Sequence, residues 1–287
     1  MHMEKANMGK ILFLDVDGTL IDYQAKTPAS AKTAIDLARK NGHRVYICTG
    51  CSKAEVLQRD LPELDGMILA NGGYVEDHDK VLLHQSLTYE QTKHVVDWCT
   101  ERNLGIILEA NPGRFFDQAL LEQGPDAFAR YREGKGAAKV DRSAERERIK
   151  KSFIFVEGDD RYRSDVNKIS FVLHSYQDHL DSKVEFPDMI ANTWGGKCEM
   201  AIFGDLGPAG ITKKKAIEVL LDYLHASKED TIAFGDAKID LSMFELCGFN
   251  VAMGNGGTEI KEAADYITTD VNDDGIYNAF KYLKLID

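Results

Sequence analysis

Residues 10–20 read KILFLDVDGTL, and this stretch decides the fold class. The run from Lys10 to Val16 is almost continuously apolar, which predicts a buried strand of the kind found in parallel sheets. Asp15 and Asp17 stand at the carboxyl end of that strand, and Gly18 follows them. Ligands of open α/β sheets bind outside this end of the strands, so the stretch predicts a binding site there.

The paired carboxylates indicate the chemistry of that site. Their oxygens suit a hard cation such as Mg²⁺, and one carboxylate can act as nucleophile while the other acts as general acid and base. An acidic surface turn is the simpler alternative. A D-x-D pair also holds Mn²⁺ in sugar-nucleotide transferases, so the pair alone leaves the reaction open.

Strands and helices alternate on either side of the middle of the chain. Further strands are predicted at residues 44–48, 66–70, 231–235, 250–253 and 266–268, with helices between them. This alternation predicts βαβ units and a parallel sheet. We therefore expect an α/β protein whose Rossmann-like core is formed by residues 1–85 and 197–287, with a mixed α+β unit inserted at residues 86–196.

The composition narrows the function classes. The chain has 287 residues, with 35 Lys plus Arg, 47 Asp plus Glu and a formal net charge of −12. Such a surface repels nucleic-acid backbones. No run of about 18 apolar residues occurs that would span a membrane. We therefore expect neither nucleic acid nor a membrane as the partner. A small anionic substrate is compatible with this charge, because a local site can be cationic on an acidic protein.

The cysteines and the first residues bear on location. The start MHMEKANMGK lacks the apolar core of a secretory signal. Five cysteines, an odd number, favour free thiols over a disulfide framework: Cys48, Cys51, Cys99, Cys198 and Cys247. Both features favour a cytoplasmic location. Cys48 and Cys51 also form a C-x-x-C pattern, for which we favour packing of Cys48 in the sheet over a redox role.

Polar residues follow the other predicted strands at the same edge of the sheet. Thr49 and Gly50 end the second strand, where a hydroxyl beside free helix N–H groups can seat a phosphate. Lys213 begins the clearest late helix. Asp236 ends another strand, and Asp240 follows in the next helix. Taken singly, each could be a turn residue or a solvated surface residue.

Taken together, these strand-end motifs resemble the haloacid dehalogenase-like (HAD) superfamily of phosphatases, and most closely its Cof-type group. The resemblance covers nearly the whole chain and is loose only in the inserted unit. It rests on FLDVDGTL (13–20), ANGGYV (70–75), GITKKKA (210–216), GDAKIDLSMF (235–244) and VAMGNGGTEIKEAADYITTDVNDDGI (251–276). It implies a HAD-like catalytic core, with residues 86–196 as a large cap that selects the substrate.

The resemblance also implies catalytic roles. Asp15 would be the nucleophile that forms an aspartyl-phosphate. Asp17 would protonate the leaving oxygen and then activate the water that breaks the intermediate. Thr49 would hydrogen-bond the phosphoryl group, and Lys213 would neutralise charge on the nucleophile and the phosphoryl oxygens.

Metal and substrate ligands are implied in the same way. Mg²⁺ would be held by the side chains of Asp15 and Asp236 and by the backbone carbonyl of Asp17, with Asp240 in the shell around these ligands. The substrate-binding candidates are Gly50, Asn71, Gly72 and Asn255.

Three positions depart from the pattern of the family. Cys51 stands where an arginine usually follows threonine-glycine, and Ile239 stands where an asparagine usually precedes Asp240. Lys213 is followed by Lys214 and Lys215 in place of glycine. Lys213 fits the register best as the inward-facing lysine.

The expected function is therefore a magnesium-dependent phosphatase that hydrolyses small phosphate esters, with sugar phosphates as the favoured class. A phosphotransferase or phosphomutase would use the same intermediate and pass the phosphoryl group to another hydroxyl. A non-catalytic protein that binds a phosphorylated metabolite is the alternative from a different class.

Overall fold

The computed structural model describes residues 9–22, 24–134, 137–194 and 201–287. Its strands, in chain order, are β1 (Ile11–Leu14), β2 (Arg44–Cys48), β3 (Gly66–Leu69), β4 (Tyr74–Asp77), β5 (Lys80–His84), β6 (Ile106–Ala110), β7 (Arg114–Phe116), β8 (Ile154–Phe155), β9 (Val166–Val172), β10 (Met189–Trp194), β11 (Phe203–Pro208), β12 (Thr231–Gly235), β13 (Phe249–Ala252) and β14 (Tyr266–Ile267). Its α-helices are α1 (Ala29–Lys40), α2 (Lys53–Val56), α3 (Tyr89–Glu101), α4 (Gln118–Gly134), α5 (Arg142–Ser152), α6 (Tyr176–Glu185), α7 (Lys213–Leu224), α8 (Leu241–Phe244), α9 (Thr258–Glu262) and α10 (Gly275–Tyr282).

The chain divides into two compact units. The first comprises residues 1–50, 59–83 and 212–287, and the second comprises residues 51–58 and 84–211. The sequence places the first boundary at residue 85, and the structure divides the chain after residue 83. The second predicted boundary, between residues 196 and 197, lies outside the described residues.

The return to the first unit comes later in the structure than the sequence predicts. Residues 201–211 belong to the second unit, because β11 pairs antiparallel with both β10 and β9. The sequence of β11, FGDLGP, contains two glycines and a proline, which predict a turn. Its pairing partners lie elsewhere in the chain, and they make it a strand.

The first unit is built on one sheet with the strand order β14-β13-β12-β1-β2-β3-β4-β5. From β14 to β3 every neighbouring pair is parallel. The prediction of an α/β protein with a parallel core sheet is therefore confirmed. All four residues of the central strand β1 are buried, as expected of a parallel strand that is covered on both faces.

The strand β4 extends this sheet and was missing from the sequence prediction. It pairs antiparallel with β3 and carries Glu76 and Asp77, which disfavour a strand. Both carboxylates are buried and are hydrogen-bonded by tyrosines, Glu76 by Tyr74 and Asp77 by Tyr46. The tyrosine partners satisfy the buried acids, and a local sequence pattern does not show them.

Helix α7 covers this sheet with one apolar stripe. Ala216, Ile217 and Leu220 are fully buried in the same cluster as Ile11 and Phe13 of β1. Each buried Ile or Leu stabilises the fold by about 1.5–3 kcal/mol. The helix begins after Thr212, whose side chain accepts a hydrogen bond from the backbone N–H of Lys215. This cap fixes where the helix starts and therefore where Lys213 lies.

The second unit is an antiparallel sheet packed with helices. Its strand order is β10-β11-β9-β6-β7-β8, and within the described part of this sheet only the pair β7–β8 is parallel. Its main core contains residues of α3, β6 and β9, among them Val95, Trp98, Ile106 and Phe171. This is the mixed α+β unit that the sequence predicted. None of the described helices has the length and apolar character needed to cross a bilayer.

Candidate active site

Three acidic residues meet at one edge of the core sheet. Asp15 follows β1 and Asp236 follows β12, and these two strands are adjacent and parallel in register. Asp240 lies in the turn after Asp236. Each residue offers a carboxylate oxygen, and these three oxygens lie within 4.8 Å of one another. The parallel pairing of the strands therefore assembles residues that are far apart in the sequence.

Lys213 lies among these carboxylates. Its Nζ is 2.8 Å from Asp15 Oδ1 and 2.6 Å from Asp240 Oδ1, and only 1% of the lysine is exposed. The two neighbouring lysines point elsewhere: Lys214 faces Glu245 at 3.8 Å, and Lys215 faces Glu218 at 3.4 Å. Both have exposed side chains. The structure thus places Lys213 inward, as the register of the helix predicts.

Asp240 links the lysine to the loop that carries Asp236. Its second oxygen, Oδ2, accepts hydrogen bonds from the backbone N–H groups of Asp236 at 3.2 Å and Ala237 at 3.1 Å. A Cβ on Gly235 would lie 2.6 Å from Asp240 Cβ, so this close approach requires glycine. Ile239, the departure from the family pattern, has an exposed side chain. The substitution therefore leaves the bonds of Asp240 in place.

The electrostatics of this cluster are unbalanced. Burial raises the pKa of Asp15 well above its ordinary value, and repulsion from Asp240 and Asp236 raises it further, against the opposing attraction of Lys213. Burial lowers the pKa of Lys213, but attraction to Asp15 and Asp240 outweighs it and leaves that pKa well above the ordinary value. Among the described residues, the ammonium group of Lys213 therefore lies in a cluster with three buried carboxylates. Such a donor set fits a hard divalent cation, which prefers carboxylate oxygens and would neutralise the excess charge.

The loop after β1 is fixed by hydrogen bonds. Gly18 adopts a left-handed φ of 92°, and its N–H donates to the carbonyl of Ile21 at 2.7 Å. Thr19 Oγ1 donates to Asp236 Oδ1 at 3.3 Å. Asn255 donates from Nδ2 to the carbonyl of Gly18 at 2.8 Å, and its Oδ1 accepts from the N–H of Val271 at 2.9 Å. The sequence predicted Asn255 as a substrate ligand, and the structure places its side-chain amide on the backbone of the loop after β1.

Two of the candidate phosphate and substrate residues, Thr49 and Gly50, directly follow β2, and Asn71 lies beside them. Thr49 is buried, and its carbonyl accepts a hydrogen bond from the N–H of Asn71 at 3.1 Å. A Cβ on Gly50 would lie 2.7 Å from Asn71 Oδ1, and one on Gly72 would lie 2.4 Å from the carbonyl oxygen of Thr212. The structure thus brings Thr49, Gly50 and Asn71 together, and it packs Gly72 against the start of α7.

Asn71 carries an unsatisfied acceptor. Its backbone is left-handed, with φ 57°, and its buried Oδ1 has no hydrogen-bond partner within the described part of the chain. A buried polar atom without a partner is costly. A ligand hydroxyl or N–H donor would satisfy this oxygen.

Asp17 differs from the three clustered acids. Its side chain is 47% exposed and accepts a hydrogen bond at Oδ1 from Arg59 Nη1 at 3.0 Å. Arg59 was missed by the sequence analysis, since it follows no strand and belongs to none of the motifs. No signal in the sequence identifies Arg59, because the sequence does not show which of its cations lies close to the D-x-D pair.

Cys48 packs in the core sheet, as the sequence predicted. Cys48 is fully buried in β2, and burial raises the pKa of its thiol far above the ordinary value. A thiol that does not ionise is a poor nucleophile. The four cysteines in the described ranges, Cys48, Cys51, Cys99 and Cys247, are free thiols, while Cys198 lies outside these ranges.

Comparison with known proteins places this geometry in a family. The model of the haloacid dehalogenase-like hydrolases matches residues 12–280. The Bacillus subtilis (strain 168) protein YkrA is 27% identical over 279 residues, which cover 96% of this chain and 98% of that protein. The 5-amino-6-(5-phospho-D-ribitylamino)uracil phosphatase YwtE of the same strain is 26% identical over an alignment of 298 positions, gaps included, which covers 93% of this chain and 95% of that protein.

Solved structures agree with the fold. A HAD subclass IIB sugar phosphatase superimposes with a TM-score of 0.75 at 24% identity, covering 96% of this chain and 100% of that one. Because Asp15 is buried and the family match covers nearly the whole chain, the acidic surface turn and the sugar-nucleotide transferase are set aside as explanations of the D-x-D pair. The match over nearly the whole length, together with the acids and lysine assembled at one sheet edge, makes this chain an enzyme of the haloacid dehalogenase-like hydrolase family, as the sequence resemblance predicted.

Proposed function

We propose that this chain, a phosphatase of that family, hydrolyses small phosphate esters with Mg²⁺ through an aspartyl-phosphate on Asp15. One observation carries the proposal: Lys213 Nζ lies 2.8 Å from Asp15 Oδ1 inside a buried cluster that also contains Asp236 and Asp240. A carboxylate nucleophile is repelled by a phosphate dianion, and a buried cation beside it removes much of that repulsion.

In the first half-reaction a carboxylate oxygen of Asp15 attacks phosphorus. The new bond joins that oxygen to phosphorus, and the bond from phosphorus to the ester oxygen breaks. The electron pair of the broken bond stays on the leaving oxygen, which takes a proton from the carboxyl group of Asp17. The products are the alcohol and the aspartyl-phosphate.

In the second half-reaction water attacks the same phosphorus. Asp17, now a carboxylate, takes a proton from the water as the new phosphorus–oxygen bond forms. The bond from phosphorus to Asp15 breaks, and its electron pair returns to the Asp15 carboxylate. Inorganic phosphate is released, and both aspartates regain their starting protonation states. General acid–base assistance of this kind contributes about 10²- to 10⁴-fold.

We assign the cation to Asp15, Asp236 and the backbone carbonyl of Asp17. A bound Mg²⁺ supplies charge neutralisation on the phosphoryl oxygens and on the nucleophile. Asp240 has both oxygens committed, one to Lys213 and the other to backbone N–H groups. We therefore propose that Asp240 positions Lys213 and the Asp236 loop.

For the substrate we propose a sugar phosphate or a similar polyhydroxylated ester. Thr49 would bond the phosphoryl group, and the unsatisfied oxygen of Asn71 would accept from a substrate hydroxyl or a water molecule. The second unit would select the organic part of the substrate. Two similar proteins support this class, one named a sugar phosphatase and the other a phosphatase of a ribityl phosphate. We further propose a cytoplasmic location, in keeping with the free thiols.

The test is phosphate release from an aryl phosphate and a panel of sugar phosphates, with Mg²⁺ and with a chelator. We expect release that needs the metal and disappears in Asp15→Asn. No release from any ester by the folded, metal-loaded protein would overturn the proposal. Adding excess acceptor alcohol distinguishes the phosphotransferase alternative, because a phosphotransferase forms a new phosphate ester at the expense of inorganic phosphate.

A further inference from the structure

Arg59 is the residue at which the chain re-enters the first unit after residues 51–58. Its Nη1 lies 3.0 Å from Asp17 Oδ1, with the two residues 42 positions apart in the sequence. The Arg59 side chain is only 18% exposed, against 47% for Asp17. The guanidinium is thus the better shielded partner of the pair.

We propose that Arg59 is a positioning residue for proton transfer by Asp17, which extends the function proposed above and rests on it. The three clustered acids are buried, but nearly half of the Asp17 side chain is open to solvent. An exposed aspartate populates several staggered rotamers. A group that is competent in only one of them acts with an efficiency reduced to the fraction of time that it spends there.

The loop that carries Asp17 is held by backbone hydrogen bonds on either side of it, from Gly18 N–H to the carbonyl of Ile21 and from Leu20 N–H to the carbonyl of Val16. The hydrogen bond from Arg59 Nη1 to Asp17 Oδ1 restricts the side-chain torsions of Asp17 from outside that loop. Arginine suits this task because its planar guanidinium prefers a defined geometry to a carboxylate. Arg59 delivers this guanidinium to the loop that carries Asp17 from a position 42 residues further along the chain.

The leaving group distinguishes positioning of the acid from other roles. An alkyl phosphate such as a sugar phosphate needs a proton on its leaving oxygen, whereas a nitrophenyl phosphate expels a stable anion with little help. Loss of correct positioning should therefore weaken the alkyl ester reaction more than the aryl one. A residue that bound the phosphoryl group would affect both esters alike, because both carry the same phosphoryl group.

The experiment measures kcat/KM for one sugar phosphate and for p-nitrophenyl phosphate with the Mg²⁺-loaded protein. The variants are Arg59→Gln, Arg59→Lys, Asp17→Asn and the double variant Arg59→Gln/Asp17→Asn. We expect Arg59→Gln to lower kcat/KM of the sugar phosphate about 10-fold, within the range that general acid catalysis supplies, and to affect the aryl ester several-fold less. Arg59→Lys should recover part of the loss, and Arg59→Gln should add nothing in the Asp17→Asn background.

Lys32→Gln is the matched control. It removes an ion pair of 2.7 Å to Asp60, the residue next to Arg59, and Asp60 is 79% exposed. This variant should leave both esters unchanged. Equal losses on both esters, or an additive loss in the double variant, would overturn the positioning role. If wild type released no phosphate from either ester, the proposed function would fail together with this inference; an active wild type with an unaffected Arg59→Gln would overturn the inference alone.

Discussion

The two units of the chain both bury charged side chains, but they balance the charges differently. In the first unit Lys213 faces Asp15 and Asp240, with Asp236 beside them. In the second unit Lys168 Nζ lies 3.4 Å from Glu109 and 3.6 Å from Asp205. The hydroxyl of Ser170 donates to Glu109 at 2.6 Å, and Arg114 pairs with Glu55 at 3.3 Å.

The difference separates a reactive cluster from a satisfied one. Glu109 and Asp205 of the second unit find a cation and, for Glu109, a hydroxyl donor on the neighbouring strand β9 of the same sheet. The acids of the first unit lie in loops at the carboxyl ends of strands. Lys213 balances only part of their negative charge. Buried carboxylates whose negative charge exceeds that of the neighbouring cations need a counter-ion. The comparison teaches that burial of charge marks a metal site only where the local partners fail to neutralise it.

The largest expected effect comes from removing the lysine of each cluster. Lys213→Met should lower kcat for an aryl phosphate about 10²- to 10³-fold, as for the loss of a group that stabilises developing charge. Lys168→Met should change kcat much less. Both variants leave buried carboxylates unpaired and should each lose about 3–5 kcal/mol of folding free energy. Kinetics on the folded fraction, together with denaturant unfolding, measure the two effects.

Two neighbouring substitutions control for charge alone. Lys214→Met and Lys215→Met remove exposed lysines from the same helix turn and should change stability by less than about 0.5 kcal/mol. If Lys168→Met lost as much kcat as Lys213→Met, the distinction between the two clusters would be wrong.

The next largest effect is stabilisation by Mg²⁺, which should depend on the acids of the first unit and not on those of the second. Mg²⁺ at 100 times its dissociation constant should stabilise the protein by about 2.7 kcal/mol, because the cation offsets repulsion among Asp15, Asp236 and Asp240. Thermal unfolding with Mg²⁺ and with a chelator measures the shift. Asp236→Asn should reduce the shift strongly, while Glu109→Gln in the second unit should keep it. An equal Mg²⁺ shift in wild type and Asp236→Asn would place the metal elsewhere.

Two glycine substitutions, Gly50→Ala in the first unit and Gly207→Ala in the second, compare how closely the neighbouring atoms pack. A Cβ on Gly50 would lie 2.7 Å from Asn71 Oδ1, whereas on Gly207 in β11 the nearest atoms are 3.9 Å away. Because Asn71 Oδ1 is the end of a side chain that can move, Gly50→Ala should cost about 1 kcal/mol, the low end for overpacking, and should raise KM, since it displaces the Asn71 amide. Gly207→Ala should be tolerated. Unfolding curves and KM for one sugar phosphate test the pair, and an unchanged KM in Gly50→Ala would contradict a substrate contact of Asn71.

The smallest expected effect is at Asn255. Asn255→Ala removes hydrogen bonds to the carbonyl of Gly18 and from the N–H of Val271, and it should cost about 1–2 kcal/mol. If Asn255 acts only by holding the loop after β1, kcat falls in this variant and KM stays constant. A rise in KM with unchanged stability would instead favour the direct substrate contact that the sequence predicted.

Much of the core could be predicted because its signals are local. An apolar run that ends in Asp15 indicates both a strand and its carboxyl end, and Asp236 follows its strand in the same way. The strand β11 and the buried acids Glu76 and Asp77 were missed for the opposite reason. Their stability depends on partners that lie in other strands or on other side chains.

By itself, the sequence determined the fold class, the family and the edge of the sheet at which the acids collect, because strand alternation and strand-end motifs are properties of short segments. Only the tertiary structure decided which groups touch there. Lys213 reaches Asp15 across 198 positions, and Arg59 reaches Asp17 across 42. Such contacts depend on strand pairing and on the paths of loops through space. A motif can state which residues lie at the site, but the packing of the whole chain selects the partner of each charge.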